Sequence, residues 1–196
     1  QEEYGTSHIS VIDKFGNAVA MTTTIEAVFG SRNMVNSGQG RHGGFLLNNE
    51  MTDFARAVPE DGGRLANAIA PQRRPRSSMS PTMVFDEAGD LFMVTGSPGG
   101  NSIPAYVAKT IIGVLDWQLD AQAAVDFTNI IARGEKVRVD VHESAGEVIA
   151  NDLKSRGYIV QERDGENSGL HVIVVRSDGL EGAADKRREG VVTAVP

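Results

Sequence analysis

Cysteine is absent from this chain of 196 residues, and several kinds of chemistry are excluded with it. Without a thiol the protein forms no disulfide, binds no metal through thiolates and has no cysteine nucleophile. The absence of cysteine does not assign a compartment. The chain also has no run of about 18 apolar residues, so no membrane-spanning segment is expected.

Basic residues are outnumbered, and this argues against one class of partner. The net charge is −7, whereas binding to nucleic acid phosphates requires a basic surface. The four histidines have no metal-ligand spacing, so no metal site is expected. No cofactor is expected either. They are His8, His42, His142 and His171.

The remaining composition is that of one globular domain, with 40% hydrophobic and 23% charged residues. The hydrophobic pattern predicts strands first, then helices, then strands again, which is an α+β layered order and not an alternating parallel one. The predicted elements are a hairpin over 8–24, a loop over 28–44, a loop over 57–76, a hairpin over 81–95, helices over 102–116, 120–125 and 144–156, and strands over 158–161, 170–175 and 180–184. Asp120 is expected to cap the second helix and Gly157 to end the third.

Hydroxyl side chains cluster at the start of the first hairpin. A hairpin over residues 8–24 returns Thr24 to the vicinity of Thr6. A threonine with a free α-amine carries its own base and can act as a nucleophile. The alternative is that these threonines reflect only the β-propensity of the residue. His8 is either a base or an ordinary strand histidine.

Three further polar clusters lie in loops or at strand ends. Residues 48–53 (Asn-Asn-Glu-Met-Thr-Asp) suit an ammonium group, or else form a capped turn. Residues 74–81 contain paired serines that can bind a carboxylate, or else form an exposed loop. Residues 96–100 (Gly-Ser-Pro-Gly-Gly) precede a helix and expose backbone N–H groups, so they form an oxyanion hole, a phosphate site or a plain turn.

In this order, the four clusters resemble the small catalytic subunit of the gamma-glutamyltransferase (gamma-glutamyl transpeptidase) family. The resemblance runs from Thr6 through the closing pattern at residues 182–188. It implies an N-terminal-nucleophile hydrolase fold, an αββα sandwich of which this chain supplies the small-subunit half. It also implies a precursor that cuts itself between Gly5 and Thr6. Residues 1–5 are then a residual junction, and residues 6–196 a single domain completed by a large subunit.

The resemblance assigns roles to matching residues. Thr6 matches the nucleophile that forms a γ-glutamyl ester, and Thr24 the threonine that supports it. The other matches are the oxyanion-hole glycines Gly99 and Gly100, the donor α-amino ligands Glu26, Glu50 and Asp53, and the α-carboxylate ligands Ser77 and Ser78. The implied donor is glutathione or a related γ-glutamyl amide, and the acceptor is an amino acid, a peptide or water.

Three departures from the family pattern carry further expectations. Residues 1–5 still precede Thr6, so its nitrogen is an amide in an uncleaved, zymogen form. The stretch from Asp53 to Ser77 is short for a member with a lid, which predicts an open pocket. The stretch over 31–44 is longer than usual, with residues 38–43 as the insertion.

Two other functions remain open from the sequence. One is a related glutaryl or cephalosporin acylase, and the other is an uncleaved, inactive relative that only binds γ-glutamyl compounds. Family resemblance implies a periplasmic or extracellular location, while a cytoplasmic one also stays open.

Overall fold

The computed structural model describes residues 4–36, 38, 43–55, 63 and 65–195. Within them it has eleven strands, three α-helices and two short 3₁₀ turns, Glu50–Asp53 and Gly100–Ser102. The strands are β1 (Tyr4–Ile12), β2 (Ala18–Ala27), β3 (Met34–Asn36), β4 (Gly44–Leu46), β5 (Thr82–Phe85), β6 (Leu91–Gly96), β7 (Ile130–Arg133), β8 (Lys136–Asp140), β9 (Ile159–Arg163), β10 (His171–Arg176) and β11 (Gly179–Ala184). The helices are α1 (Ile103–Leu115), α2 (Ala121–Asp126) and α3 (Ser144–Ser155).

The chain divides into two compact units. The first contains residues 1–6 and 23–78, and the second contains residues 7–22 and 79–196. The first hairpin, β1 with β2, is a two-stranded sheet whose residues belong to both units. Its turn is closed by Asp13, whose carboxylate accepts from the backbone N–H groups of Phe15 at 2.8 Å and Asn17 at 2.9 Å. The predicted hairpin over 8–24 is confirmed and is longer at both ends.

The first unit contains a small hairpin that the sequence did not predict. Met34 pairs with Leu46 and Val35 with Phe45 in an antiparallel ladder of β3 and β4. The polar, glycine-rich composition of residues 28–44 predicted a loop, but three cross-strand pairs are enough to form a strand pair here. The predicted insertion over 38–43 lies largely outside the described residues, as does His42.

The second unit is built on a four-stranded antiparallel sheet in the order β11-β10-β6-β5. Helices α1 and α2 pack on this sheet, and the core forms between them. Full burial of an aliphatic or aromatic side chain contributes about 1.5–3 kcal/mol. The core includes Met93, Ile103, Tyr106, Val107, Val114, Val125, Leu170, Val172 and Val174.

A separate three-stranded sheet in the same unit has the order β7-β8-β9. Strands β7 and β8 were not predicted. β8 and β9 pair in parallel, and α3 lies in the connection between them. The predicted α+β layered order holds, and within it residues 136–163 form one β-α-β crossover that was not predicted. Charged residues alternate with valines along β8, which is the pattern of a half-buried strand, so the sequence did contain a signal for β8.

The helix ends follow the signals in the sequence. Asp120 caps α2, its side chain accepting from the backbone N–H of Ala123 at 2.6 Å. Gly157 follows α3 with φ +88°, the left-handed conformation expected after a helix. Both predicted caps are confirmed.

Candidate active site

Thr6 of β1 is joined through its hydroxyl to Thr24 of β2. Thr6 is buried, with 8% of its surface exposed, and its Oγ1 donates to Thr24 Oγ1 at 3.1 Å. Thr24 Oγ1 also donates to the carbonyl oxygen of Gly5, at a longer distance of 3.5 Å. The hairpin thus brings Thr24 to Thr6, as predicted. It also directs a hydroxyl donor at the peptide bond that precedes Thr6.

Gly5 lies where the two strands of the hairpin approach closely. A β-carbon added at Gly5 would lie 2.6 Å from the carbonyl oxygen of Ala27, closer than real β-carbons come to backbone atoms. The residue before Thr6 therefore needs to be glycine for β1 to stay in this register.

Glu26, two residues after Thr24, is held in an uncommon backbone conformation. Its φ is +73°, in the left-handed region that residues with side chains rarely adopt. Its N–H donates to Thr24 Oγ1 at 2.9 Å, and the side-chain amide of Asn49 donates to its carboxylate. The Asn49 Oδ1 in turn accepts from the N–H of Ala27 at 3.0 Å. Asn49 therefore holds both the backbone N–H of Ala27 and the carboxylate of Glu26.

Glu50 adds a second carboxylate to this region. Its Oε1 is buried and has no hydrogen-bond partner among the residues that the structure describes. Burial raises the pKa of Glu50, and the carboxylates of Asp53 and Glu26 raise it further. Three neighbouring carboxylates with an unsatisfied buried oxygen favour a bound ammonium group, because a positive charge stabilises their ionised forms.

The paired serines Ser77 and Ser78 belong to the same compact unit as these carboxylates. Ser77 is exposed and Ser78 is half-buried. Asn67 connects their segment to the acidic turn. Its amide nitrogen donates to the carbonyl oxygen of Asp53 at 2.5 Å, and its Oδ1 accepts from the N–H of Arg76 at 2.8 Å.

Two amides that organise this unit were not among the predicted site residues. Asn49 belongs to the polar cluster at residues 48–53, so the sequence contained a signal for it. Asn67 had no such signal, because its two partners are 14 and 9 residues away in a segment that looked like a plain loop.

The glycine turn of the second unit has a backbone conformation that glycine adopts more readily than other residues. Gly99 and Gly100 have φ values of +133° and +57°, and they lead through the 3₁₀ turn Gly100–Ser102 into α1. Ser97 is fully buried, and its hydroxyl accepts from the N–H of Gly169 at 3.1 Å. Backbone N–H groups at the start of a helix carry partial positive charge, so this turn can bind an oxyanion.

His8 is a buried strand histidine whose two ring nitrogens both have hydroxyl partners. Nδ1 lies 2.7 Å from Thr22 Oγ1 and Nε2 lies 3.1 Å from Ser10 Oγ. The ring covers Gly96, where an added β-carbon would lie 2.2 Å from His8 Cε1. These contacts favour a structural role for His8 over a role as base.

We expect His8 to titrate near pH 4. Burial, and then the neighbouring His171, lower the pKa of His8 to about 4 from the ordinary value of 6.5. The folded state thus binds this proton less tightly than the unfolded state. Acidification from pH 6.5 to 4 should therefore destabilise the fold by about 3 kcal/mol through this group.

An NMR titration of the imidazole resonances measures this directly. The exposed His142 is an internal control, because its hydrogen bond to Asp164 raises its pKa above 6.5. A midpoint for His8 close to that of a free histidine would contradict the buried, neutral arrangement.

No group of three His, Asp or Glu side chains is positioned to hold a metal ion within the described ranges. In the same part of the chain, no helix is both long and apolar enough to cross a bilayer.

Comparison with known proteins identifies the fold and the family. A glutathione hydrolase proenzyme from Escherichia coli K12 is 34% identical over 198 residues, covering 98% of this chain and 33% of the relative. The acylase ACY 1 proenzyme from Pseudomonas sp. SE83 is 30% identical, covering 99% of this chain and 33% of its own length. In the solved structure of gamma-glutamyltranspeptidase from Pseudomonas nitroreducens complexed with L-DON, a chain 33% identical superposes with a TM-score of 0.82. That match covers 96% of this chain and 99% of the other.

The fold is accordingly that of an N-terminal-nucleophile hydrolase, as the sequence predicted. The family model for gamma-glutamyltranspeptidase matches residues 1–195. The chain belongs to the gamma-glutamyltranspeptidase family. It spans about a third of the length of the curated relatives that it matches.

Proposed function

We propose that this chain is the catalytic part of a γ-glutamyl transferase and hydrolase that acts on glutathione and related γ-glutamyl amides. The observation that carries the proposal is the position of the Thr24 hydroxyl. It accepts from the Thr6 hydroxyl and from the N–H of Glu26, so a candidate nucleophile is linked to a carboxylate cluster suited to an amino group. The names of the relatives support the same activity.

The first step in this proposal is cleavage of the precursor before Thr6. The Thr6 Oγ1 attacks the carbonyl carbon of Gly5, the C–N bond to Thr6 breaks, and an ester forms. The proton of the Thr6 hydroxyl passes to the leaving nitrogen, so the α-amine of Thr6 is free once the ester has formed. Water then hydrolyses the ester, which releases the carboxylate of Gly5 and restores the hydroxyl of Thr6. The Thr24 hydroxyl, which donates to the Gly5 oxygen, supports the step by stabilising negative charge on that atom.

The second step is turnover by the freed threonine. Its α-amine takes the proton from Oγ1 as the oxygen attacks the γ-carbonyl of the donor. The C–N bond of the donor breaks, the leaving amine takes a proton, and a γ-glutamyl ester remains on Thr6. An amino acid, a peptide or water then attacks this ester, which gives transfer or hydrolysis.

Donor recognition completes the proposal. Glu26, Glu50 and Asp53 bind the α-amino group, and the buried, unpartnered Oε1 of Glu50 is the contact that such an ammonium would satisfy. Ser77 and Ser78 bind the α-carboxylate. The N–H groups of Gly99 and Gly100 donate to the oxyanion, and losing one such donor in other enzymes costs about 2.7–4 kcal/mol.

A second candidate function is a glutaryl or cephalosporin acylase. The 30% identity to acylase ACY 1 favours it, and the nucleophile and glycine turn would serve both reactions. The two functions differ in whether the donor carries an ammonium group. The cluster of three carboxylates favours the γ-glutamyl donor, because a glutaryl group has no positive charge to place there.

Removing the charge of Glu50 or Asp53 should separate the two functions. We expect Glu50→Gln and Asp53→Asn each to lower kcat/KM for γ-glutamyl-p-nitroanilide by about 10- to 100-fold, the factor for losing a hydrogen bond to a charged group. Turnover of glutaryl-p-nitroanilide, which lacks the ammonium group, should be little changed. Steady-state kinetics with both substrates measures the difference.

Glu87→Gln is the matched control, because Glu87 is an exposed carboxylate in the turn before β6. It should leave both substrates unaffected. Unimpaired γ-glutamyl turnover in both site variants would contradict the assignment of Glu50 and Asp53 to the α-amino group of the donor. A wild-type preference for the glutaryl substrate would favour the acylase.

A large subunit from the same precursor is the proposed partner. The chain spans a third of its relatives, and the first hairpin exposes apolar side chains that a partner could cover. Residues 1–5 would then be the end of that subunit before cleavage, and residues 6–196 the small subunit. The exposed side chains of the first hairpin are Ile9, Val11, Val19 and Met21, with 45–50% of their surface accessible.

A periplasmic or extracellular location is part of the same proposal and has only family resemblance as support.

A further inference from the structure

A polar cluster built around the buried Tyr106 and Glu166 lies next to the glycine turn. It consists of Tyr106 of α1, Arg138 of β8, Glu166 of the β9–β10 loop and Ser102. None of these residues carries a role in the proposed chemistry, and none was marked by the sequence.

Tyr106 is the member that touches the turn. A β-carbon added at Gly99 would lie 2.4 Å from Cε2 and 3.1 Å from Cδ2 of the Tyr106 ring. The Gly99 backbone therefore rests on the ring, which is itself only 2% exposed. Because Gly99 has φ +133°, its N–H direction depends on what holds the backbone in place.

Tyr106 is held in turn by a charged partner. Its hydroxyl donates to the carboxylate of Glu166. Burial and the Glu166 carboxylate both raise the pKa of Tyr106, so the hydroxyl remains a donor at any physiological pH. The ring therefore keeps one orientation beneath Gly99.

Arg138 connects both ends of the turn. Its Nε donates to one carboxylate oxygen of Glu166 at 2.5 Å and its Nη2 to the other at 3.2 Å. The same Nη2 donates to Ser102 Oγ at 2.6 Å, at the last residue of the 3₁₀ turn that Gly100 begins. A planar guanidinium with this fork geometry fixes its partners more closely than a lysine can.

The loop that carries Glu166 supports the turn a second time. The carbonyl oxygen of Asn167 would lie 3.5 Å from a β-carbon at Gly99, and Gly169 N–H donates to Ser97. One loop therefore contacts the turn through backbone atoms and, at Glu166, anchors the side chain beneath it.

We infer that Tyr106, Glu166 and Arg138 are positioning residues that aim the Gly99 and Gly100 N–H groups at the oxyanion. This inference rests on the proposed function, in which those glycines bind the oxyanion. Such a cluster acts on the tetrahedral state and not on the bound substrate. Its loss should therefore lower kcat and leave KM nearly unchanged.

The test uses Glu166→Gln and Tyr106→Phe in the full-length protein, with kcat normalised to titrated active sites. We expect kcat for γ-glutamyl-p-nitroanilide to fall about tenfold or more in each variant, with KM changed by less than about twofold. Affinity for a γ-glutamyl phosphonate, whose tetrahedral phosphorus mimics the intermediate, should fall in parallel with kcat. The double variant should lose less than the product of the two single losses, because the residues act as one unit.

Arg176→Met is the matched control, since it removes the ion pair with Glu181 on β10 and β11. It should leave kcat, KM and phosphonate affinity unchanged.

A fall in melting temperature with normal kcat and phosphonate affinity in the two cluster variants would overturn the inference. Should Glu166→Gln fail to fold, Tyr106→Phe alone decides, because it keeps the ring against Gly99. Failure of the proposed function itself would be seen separately, as absent γ-glutamyl turnover in the unmodified protein.

Discussion

The Thr6→Ala variant of the full-length protein is expected to remain a single uncut chain and to lose γ-glutamyl turnover by at least about 10⁴-fold. The same hydroxyl serves both steps in the proposed mechanism. Without Oγ1 there is no atom to attack the Gly5 carbonyl, and no ester can form with the donor. Intact-mass analysis reports the cleavage, and steady-state kinetics reports the turnover.

Ser7→Ala is the control for Thr6→Ala. Ser7 is the adjacent residue of β1 and is exposed, so its hydroxyl should be dispensable for cleavage and for turnover. Thr6→Ser should keep partial function, because it retains the hydroxyl and loses only the methyl group. Normal cleavage in Thr6→Ala would remove Thr6 from the role of nucleophile.

The Gly99→Ala variant should lower kcat by about 10²- to 10³-fold, the loss seen when one oxyanion donor is removed. The added methyl group meets the Tyr106 ring at 2.4 Å, and an alanine is strained at φ +133°. The turn must therefore move, and its N–H groups move with it. Steady-state kinetics with a γ-glutamyl donor measures the loss.

Gly134→Ala is the control that separates backbone strain from displacement of the turn. Gly134 also has a left-handed conformation, with φ +64°, but an added β-carbon there would meet nothing within 4 Å. It should lower the melting temperature slightly and leave kcat unchanged. If Gly99→Ala kept normal kcat, the glycine turn would not be the oxyanion site.

Local sequence signals were sufficient for the part of the site that depends on one hairpin. The hairpin predicted over residues 8–24 returned Thr24 to Thr6, and their hydroxyls are 3.1 Å apart. The caps at Asp120 and Gly157 were predicted for the same reason. In each case the structure depends on residues close together in the sequence.

The strands that were missed form through partners outside their own segment. β3 and β4 are three residues each in a polar stretch, where hydrophobic periodicity is weak and pairing decides. β8 differs, because its alternation of charged with apolar residues is a strand signal that the sequence contained. The parallel pairing of β8 with β9 could not be predicted from the sequence, because it depends on the crossover through α3.

The burial of charged residues could not be predicted from the sequence for a similar reason. Lys109 lies on the core helix α1, and its Nζ donates to the carbonyl oxygens of Ala124, Val125 and Phe127 at 2.9–3.0 Å. Glu166 and Arg138 are 28 residues apart and meet only in the folded chain. A charged residue looks exposed in a sequence until its partners are known.

The most direct test is intact-mass analysis of the purified full-length protein, before and after brief exposure to a γ-glutamyl donor. We expect two chains, of which the smaller begins at Thr6, and a fraction of that chain heavier by one γ-glutamyl group after exposure. Peptide mapping should find the added group on Thr6. A chain that stays uncut, or an added group on any other residue, would contradict the role of Thr6 as nucleophile.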